Sequence, residues 1–263
     1  MNPLNYEISG DGPALVLVHG LGSAGTVWKP IRALLNKSFT VVSVDLPGHG
    51  KTPYVKGQPM DPHSLGLNVL EQVNNLGFEE FHLVGNSLGG WISLELTSAA
   101  PQNVLSLTAL APAGLWLNPY NQRYPGTAIL KFLARYTSKF APTALHFEAA
   151  RRLGFFEVSP KWKQLSYETC LDATMAMAGA TGYYPAWDGM LMKRFDSFIP
   201  ESIPVTIIFG DTDRTLPPTT CQERSLAPAH AKWIIFPETG HAPMWDSPLD
   251  VVDEIKKNAA VDK

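Results

Sequence analysis

Four stretches of the chain carry residue types that could act together on a carbonyl group. Gly85-Asn86-Ser87-Leu88-Gly89, followed by Gly90, sets a serine between small residues. A serine hydroxyl is a weak nucleophile until a neighbouring base takes its proton, and that base needs a carboxylate to orient it. His241, in Gly240-His241-Ala242-Pro243, is the candidate base. Gly210-Asp211-Thr212-Asp213-Arg214-Thr215-Leu216-Pro217 offers two candidate carboxylates, Asp211 and Asp213. An attacked carbonyl becomes an oxyanion, which needs preorganised backbone N–H donors. Leu88, the residue after the serine, supplies one, and Leu21, in His19-Gly20-Leu21-Gly22, is the candidate for the other.

Each of these stretches follows an apolar run that could hold it in place. Ala14–Val18 ends in His19-Gly20, Phe39–Val44 at Asp45, Phe81–Val84 at Gly85, and Val205–Phe209 at Gly210. Val104–Leu110 and Trp233–Phe236 are further runs of the same kind, the latter just ahead of Gly240. Such runs read as buried strands of a parallel sheet. Val27–Leu35, Leu65–Leu76, Leu88–Ala99 and a tail from Pro248 to Asn258 have helical spacing. The alternation predicts an α/β fold with a mostly parallel, doubly wound sheet and right-handed crossovers. A serine between a strand and a helix sits on a turn so tight that its backbone is strained and its neighbours must be glycine. Ser87, His241 and the two aspartates all fall just past strand ends, so they can meet at one edge of the sheet.

The pattern breaks between Gly114 and Pro200, where no parallel-strand run occurs and aromatic and Met residues crowd together, among them Trp116, Tyr124, Phe132, Phe156, Met177 and Trp187. Short helices are expected there. The predicted organisation is a core domain of residues 1–113 and 201–263, with a helical lid inserted at 114–200. Trp116, Met244 and Trp245 are the candidate lining of a substrate pocket.

Composition narrows the partners. The chain has 263 residues, 45% hydrophobic and 17% charged, which suits a large packed core and argues against disorder. Twenty-one basic against 24 acidic residues give a net charge of −3, so no basic excess points to nucleic acid or an anionic membrane surface. Cys170 and Cys221 are too few for a disulfide framework, as in a reduced intracellular protein. The start of the sequence has no secretory signal, and no stretch approaches the ~20 apolar residues of a membrane span, so a cytoplasmic location is expected. Neither zinc-ligand spacing nor a phosphate-binding loop occurs, so neither metal nor cofactor is expected. The expected partner is a small-molecule substrate, with the chain a monomer or homodimer.

These residues, from Gly10-Asp11-Gly12-Pro13 to Trp245-Asp246-Ser247-Pro248, resemble the α/β-hydrolase fold family, specifically its compact lidded serine hydrolases. The order Ser, Asp, His is that family's order. Asp45-Leu46-Pro47-Gly48-His49-Gly50-Lys51-Thr52 resembles its D-x-x-G-x-G-x-S/T loop. Its G-x-x-D-x-x-x-P acid motif fits Gly210, Asp213 and Pro217, so the resemblance implies a Ser87-His241-Asp213 triad rather than one using Asp211. Asp246 stands where the family often has Glu. The family's usual edge strand ahead of Leu4–Ser9 finds no room in this sequence, and the lid matches no single subfamily. The implied reaction is hydrolysis of carboxylic esters of small to medium apolar acyl groups through an acyl-enzyme, with no cofactor. A serine, not an aspartate, at the nucleophile position argues against dehalogenase or epoxide chemistry. A meta-cleavage-type C–C hydrolase is an alternative suggested by Gly-Asn-Ser-x-Gly-Gly, although such enzymes usually place Trp after the catalytic His, where this chain has Ala242. A slow-turnover small-molecule receptor is a second. His49 reads as structural, and His63, His82, His146 and His230 have no motif around them.

Overall fold

The computed structural model describes residues 3–123 and 125–260, so Tyr124 lies outside the described residues. The apolar runs form β1 (Tyr6–Ser9), β2 (Ala14–Val18), β3 (Thr40–Val44), β4 (Phe81–Asn86), β5 (Val104–Leu110), β6 (Val205–Gly210) and β7 (Lys232–Phe236). They pair into one seven-stranded sheet in the order β1-β3-β2-β4-β5-β6-β7. β1 runs antiparallel to β3, and the other pairings are parallel. The helices are α1 (Lys29–Leu35), α2 (Pro62–Asn75), α3 (Leu88–Ala99), α4 (Pro125–Thr137), α5 (Ala141–Ala144), α6 (Glu148–Phe155), α7 (Tyr167–Gly179), α8 (Tyr183–Met190), α9 (Pro218–Cys221), α10 (Pro243–Asp246) and α11 (Pro248–Asn258).

The two-residue period of the strands divides the core into two layers. Val16 and Val18 of β2 pack with Leu65 and Val69 of α2 and with Leu88 and Ile92 of α3. Leu15 and Leu17 face the other way, onto Trp28, Ile31 and Leu35 near α1 and onto Val251 and Ile255 of α11. A sheet so covered on both faces is built from mostly apolar strands, which β2 to β6 supply, with a few small or hydrogen-bonded polar side chains such as Ser106 and Thr108 buried among them. β1 and β7 are partly exposed because each is an edge strand with one neighbour. β2 lies between β3 and β4, so the chain reverses its direction of travel across the sheet there. The loops after β2 and β4 flank that switch point, the place where open α/β sheets hold ligands.

Between β5 and β6 the described residues form α4 to α8 and no strand. Helix starts in the chain are set locally. The Asp61 carboxylate accepts from Ser64 N ahead of α2, with Pro62 in its first turn, and Ser166 Oγ accepts from Thr169 N ahead of α7. Ala141, Leu145, Phe155, Trp162, Leu165 and Cys170 make a small core within the inserted helices. Gly182 N–H donates to Gly48 O at 2.9 Å and Lys29 pairs with Asp172 at 2.6 Å, tying these helices to the sheet domain. Among the described residues, no helix is long and apolar enough to cross a membrane.

Candidate active site

Ser87 stands between β4 and α3 with φ 57° and ψ −120°. A non-glycine residue in this region is strained by about 1–3 kcal/mol and is held there only by its surroundings. Here the surroundings are backbone packed against backbone. A Cβ on Gly85 would lie 2.1 Å from Gly89 O, and one on Gly89 would lie 2.1 Å from Val18 O. Both positions must therefore be glycine for α3 to start where it does. Ser87 N–H donates to Leu110 O, and Ser87 O accepts from Trp91 N and Ala113 N, which fixes the turn from both sides.

The partners arrive from loops at the same sheet edge. Ser87 Oγ donates to His241 Nε2 at 2.9 Å, and His241 Nδ1 donates to Asp213 Oδ2 at 2.9 Å. Asp213 is buried, and its other oxygen accepts from Thr215 N and Leu216 N, both at 2.9 Å. Each carboxylate oxygen thus has one assignment: Oδ1 to the loop, Oδ2 to the imidazole. Asp211 is exposed, and its carboxylate accepts from Thr239 N at 3.3 Å. It does not reach His241.

His241 is itself held by its backbone. Its N–H donates to Val158 O at 2.8 Å, and its carbonyl accepts from Asn86 Nδ2 at 3.1 Å. Asp246 accepts from Gly240 N at 2.8 Å and from the Ser159 hydroxyl, while Lys161 Nζ donates to Asp246 O at 3.0 Å. Burial raises the Asp246 carboxyl above its ordinary range, and those two hydrogen bonds oppose the rise. The sequence gives no sign that Asn86 holds the His241 backbone, and Val158 and Ser159 were not singled out from it. Asn86 occupies a variable place in the serine motif, and Val158 and Ser159 lie in an unpatterned loop.

The loop after β2 lies against the serine, since a Cβ on Gly20 would come 3.0 Å from Ser87 Cβ. His19 fixes that loop: its Nδ1 donates to Gly20 O at 2.7 Å, and its Nε2 accepts from Leu46 N at 3.0 Å. Burial lowers the pKa of His19, which keeps this neutral tautomer in place. The His49 ring lies tilted beside it at 5.4 Å and donates from Nδ1 to Pro47 O. Burial, with His19 adding a smaller push, lowers His49 to about 3. Neither the Leu21 nor the Leu88 N–H donates to a protein acceptor among the described residues. Over the loop sit Met177 of α7 and Tyr183 of α8, close enough that a Cβ on Gly22 would meet both.

The three pocket candidates pack against neighbouring parts of the chain. Trp116 is buried edge-to-face between Trp91 and Tyr120, with Nε1 donating to Lys193 O at 2.8 Å. Met244 is fully buried in the layer with α1 and α11, because α10 turns it inward directly after the His241 loop. Trp245 donates from Nε1 to Val27 O at 3.2 Å and packs on Phe155. A cavity of about 710 Å³ lined by Asp61, His63, Trp91, Glu95 and Arg194 lies behind α3, and none of Ser87, Asp213 or His241 lines it. Among the described residues, no group of three or more His, Cys, Asp or Glu side chains is arranged to hold a metal ion.

Chemically, the arrangement presents a partly exposed hydroxyl to an imidazole whose second nitrogen is anchored on a buried carboxylate. Such a grouping of hydroxyl, imidazole and carboxylate is one that acyl transfer can use. Known proteins agree with the architecture. The alpha/beta hydrolase family profile matches residues 15–254. An uncharacterized protein of Mycobacterium tuberculosis is 26% identical over 272 residues, spanning 96% of this chain and 76% of its own length. A pimeloyl-acyl-carrier-protein methyl ester esterase of Aeromonas hydrophila is 26% identical over 259 residues, spanning 96% of this chain and 98% of its own. Among solved structures, a thermophilic esterase from Thermogutta terrifontis superimposes with a TM-score of 0.67 at 19% identity, over 97% of this chain and 92% of that one. At that identity the likeness shows the fold.

Proposed function

Because the chain belongs to the alpha/beta hydrolase family, we propose that it is a serine hydrolase cleaving carboxylic esters of small to medium apolar acyl groups. The observation that carries the reading is the continuous relay of hydrogen bonds from Asp213 through His241 to Ser87, each at 2.9 Å. In this reading His241 Nε2 takes the Ser87 proton as Oγ attacks the ester carbonyl. The Leu21 and Leu88 amides receive the oxyanion. His241 then protonates the leaving alkoxide, and the same nitrogen deprotonates the water that releases the acid and frees Ser87. Asp213 keeps the proton on Nδ1 and stabilises the imidazolium between those steps. The likeness to an esterase of Aeromonas hydrophila over nearly the whole of both chains supports the ester as the bond cleaved.

The test is hydrolysis of p-nitrophenyl esters from acetate to dodecanoate by the wild type and by Ser87→Ala. The reading expects turnover that disappears in a variant whose far-UV circular dichroism is unchanged. Equal turnover in the variant overturns the assignment of the nucleophile. Turnover of a vinylogous diketone with none of any ester replaces ester cleavage with C–C bond cleavage.

A further inference from the structure

Among the described side chains of helix α4, large apolar ones point outward and a lysine points inward. The apolar side chains Ile129, Phe132 and Tyr136 are 61%, 59% and 62% exposed, with Leu133 beside them and Phe140 one turn further on. These positions recur at the three- and four-residue spacing of one helix face. Lys131, by contrast, is only 5% exposed and donates from Nζ to Met177 O at 2.5 Å and to Ala178 O at 3.1 Å, near the C-terminal end of α7. Its cation is thereby used up in binding α4 to the helix that covers Gly22. Lys131 thus lies on the side of α4 that packs on α7, and Ile129, Phe132 and Tyr136 lie away from it. Phe147 and Leu153, on the following stretch, are exposed as well.

Charge accompanies that surface. Residues 125–163 hold seven basic and two acidic side chains, a net +5 in a chain of net −3, so the other residues together carry −8. Arg135, Lys139 and Arg152 are exposed. Lys139 Nζ lies 4.9 Å from the Phe140 ring and Arg152 Cζ lies 5.7 Å from the Phe156 ring, so cationic heads stand beside exposed aromatic rings. Exposed Phe, Leu and Ile on one face with Lys and Arg around them is the make-up of a helix that lies in a lipid interface.

We infer that the outer face of α4, with Lys139-Phe140 and the exposed residues of α6, docks on an anionic lipid surface. A second copy of the chain is the poorer occupant, since a two-fold interface through this face would set the exposed Arg135, Lys139 and Arg152 against their own copies. A lipid interface also needs no matching pockets for exposed side chains such as Phe132 and Tyr136. The inference deepens the ester-hydrolase reading and rests on it for one consequence only: α4 packs on α7, whose Met177 lies over the Gly22 loop, so docking would bring the Ser87 site to esters carried at that surface.

The experiment is co-sedimentation of the Ser87→Ala chain with vesicles of phosphatidylcholine alone and of phosphatidylcholine with phosphatidylserine. Using a hydrolytically silent chain separates the surface from the chemistry: loss of ester turnover leaves vesicle binding standing, and the reverse. Binding to the anionic vesicles, weak binding to the neutral ones and release by salt are expected. Arg135→Gln with Lys139→Gln should weaken binding about 30-fold. Phe132→Ser with Tyr136→Ser should weaken it about tenfold or more, and because these side chains are exposed the fold should be unaffected. No binding to anionic vesicles overturns the inference, and so does binding that both double variants leave unchanged. A dimer in solution that Phe132→Ser with Tyr136→Ser dissolves, without vesicle binding, assigns the face to a second copy instead.

Discussion

Asp213→Asn is the sharpest perturbation of the candidate site, because the structure dictates how the new amide must sit. Asp213 Oδ1 accepts two backbone N–H groups, from Thr215 and Leu216. An asparagine can keep both bonds only by placing its carbonyl oxygen there. Its NH2 group then faces His241 Nδ1, where Oδ2 now accepts at 2.9 Å. A donor in that place forces Nδ1 to accept, which moves the imidazole proton to Nε2. The nitrogen beside Ser87 Oγ can then no longer act as base. Loss of the tautomer in serine triads lowers kcat by ~10^4, equivalent to about 5.4 kcal/mol of transition-state stabilisation. KM should change little, since the amide occupies the space of the carboxylate. Asp211→Asn is the matched control, because Asp211 is exposed and its one backbone contact survives as an amide carbonyl. The assay is steady-state hydrolysis of p-nitrophenyl butyrate by wild type and both variants, with melting curves to establish folding. A kcat for Asp213→Asn within about tenfold of wild type would refute the tautomer argument. A loss confined to Asp211→Asn would move the acid to the neighbouring position.

Three further outcomes follow from the structure. His19, His49 and His82 are lowered by burial, His49 to about 3, while the unfolded chain protonates near the ordinary histidine value. Their contribution is therefore fully present above about pH 6.5 and is lost as the pH falls toward the folded pKa values, at about 1.4 kcal/mol per pH unit for each histidine still neutral when folded. A urea midpoint that does not fall between about pH 7 and pH 5 is the contrary result. Gly89→Ala would bring a Cβ to 2.1 Å from Val18 O, so strand and helix must separate and the protein should be insoluble or strongly destabilised, whereas a soluble variant melting with wild type would contradict that packing. Met177→Ala removes the side chain over Gly22 and should move the preferred p-nitrophenyl ester toward longer acyl chains, and an unchanged chain-length profile would place the acyl pocket elsewhere.

The strands were legible because a strand covered on both faces is made mostly of apolar and β-branched residues. Ala14–Val18, Val104–Leu110 and Val205–Gly210 show that composition. The meeting of Ser87, Asp213 and His241 was legible for a related reason. In a parallel sheet every strand end points the same way, so residues just past β4, β6 and β7 converge whatever lies between them. Residues whose placement depends on a long connection carry no such signal. Met244 and Trp245 are close to His241 in sequence, but α10 turns Met244 into the core and puts the Trp245 indole on Val27 O. Trp116 follows β5 closely, yet the Trp91 and Tyr120 rings that enclose it come from α3 and from the loop beyond it.

Helix α4 marks the limit of pattern reading most clearly. A three- and four-residue apolar period establishes that a helix has two unlike faces, and burial in a core is the ordinary reason for one. In α4 the period is present and the inference from it fails, because Lys131 is on the buried side. Burying an ammonium is costly unless its hydrogen bonds are met, and the carbonyls at the end of α7 meet them, with burial still lowering Lys131 to about 8. That bond is local to two helices and leaves no trace in a hydropathy pattern. Net charge is likewise silent on how charge is distributed. A total of −3 argues against an anionic surface only if charge is spread evenly, and here +5 is gathered into residues 125–163, where the apolar side chains stand exposed. Substituting Lys131 by Met should therefore loosen α4 from α7 and leave the outward charge of Arg135 and Lys139 intact. If vesicle binding depends on that helix being held in place, the variant should lose binding while keeping its exposed cations. Retained binding would mean that charge alone, without the fixed apolar face, accounts for the attraction.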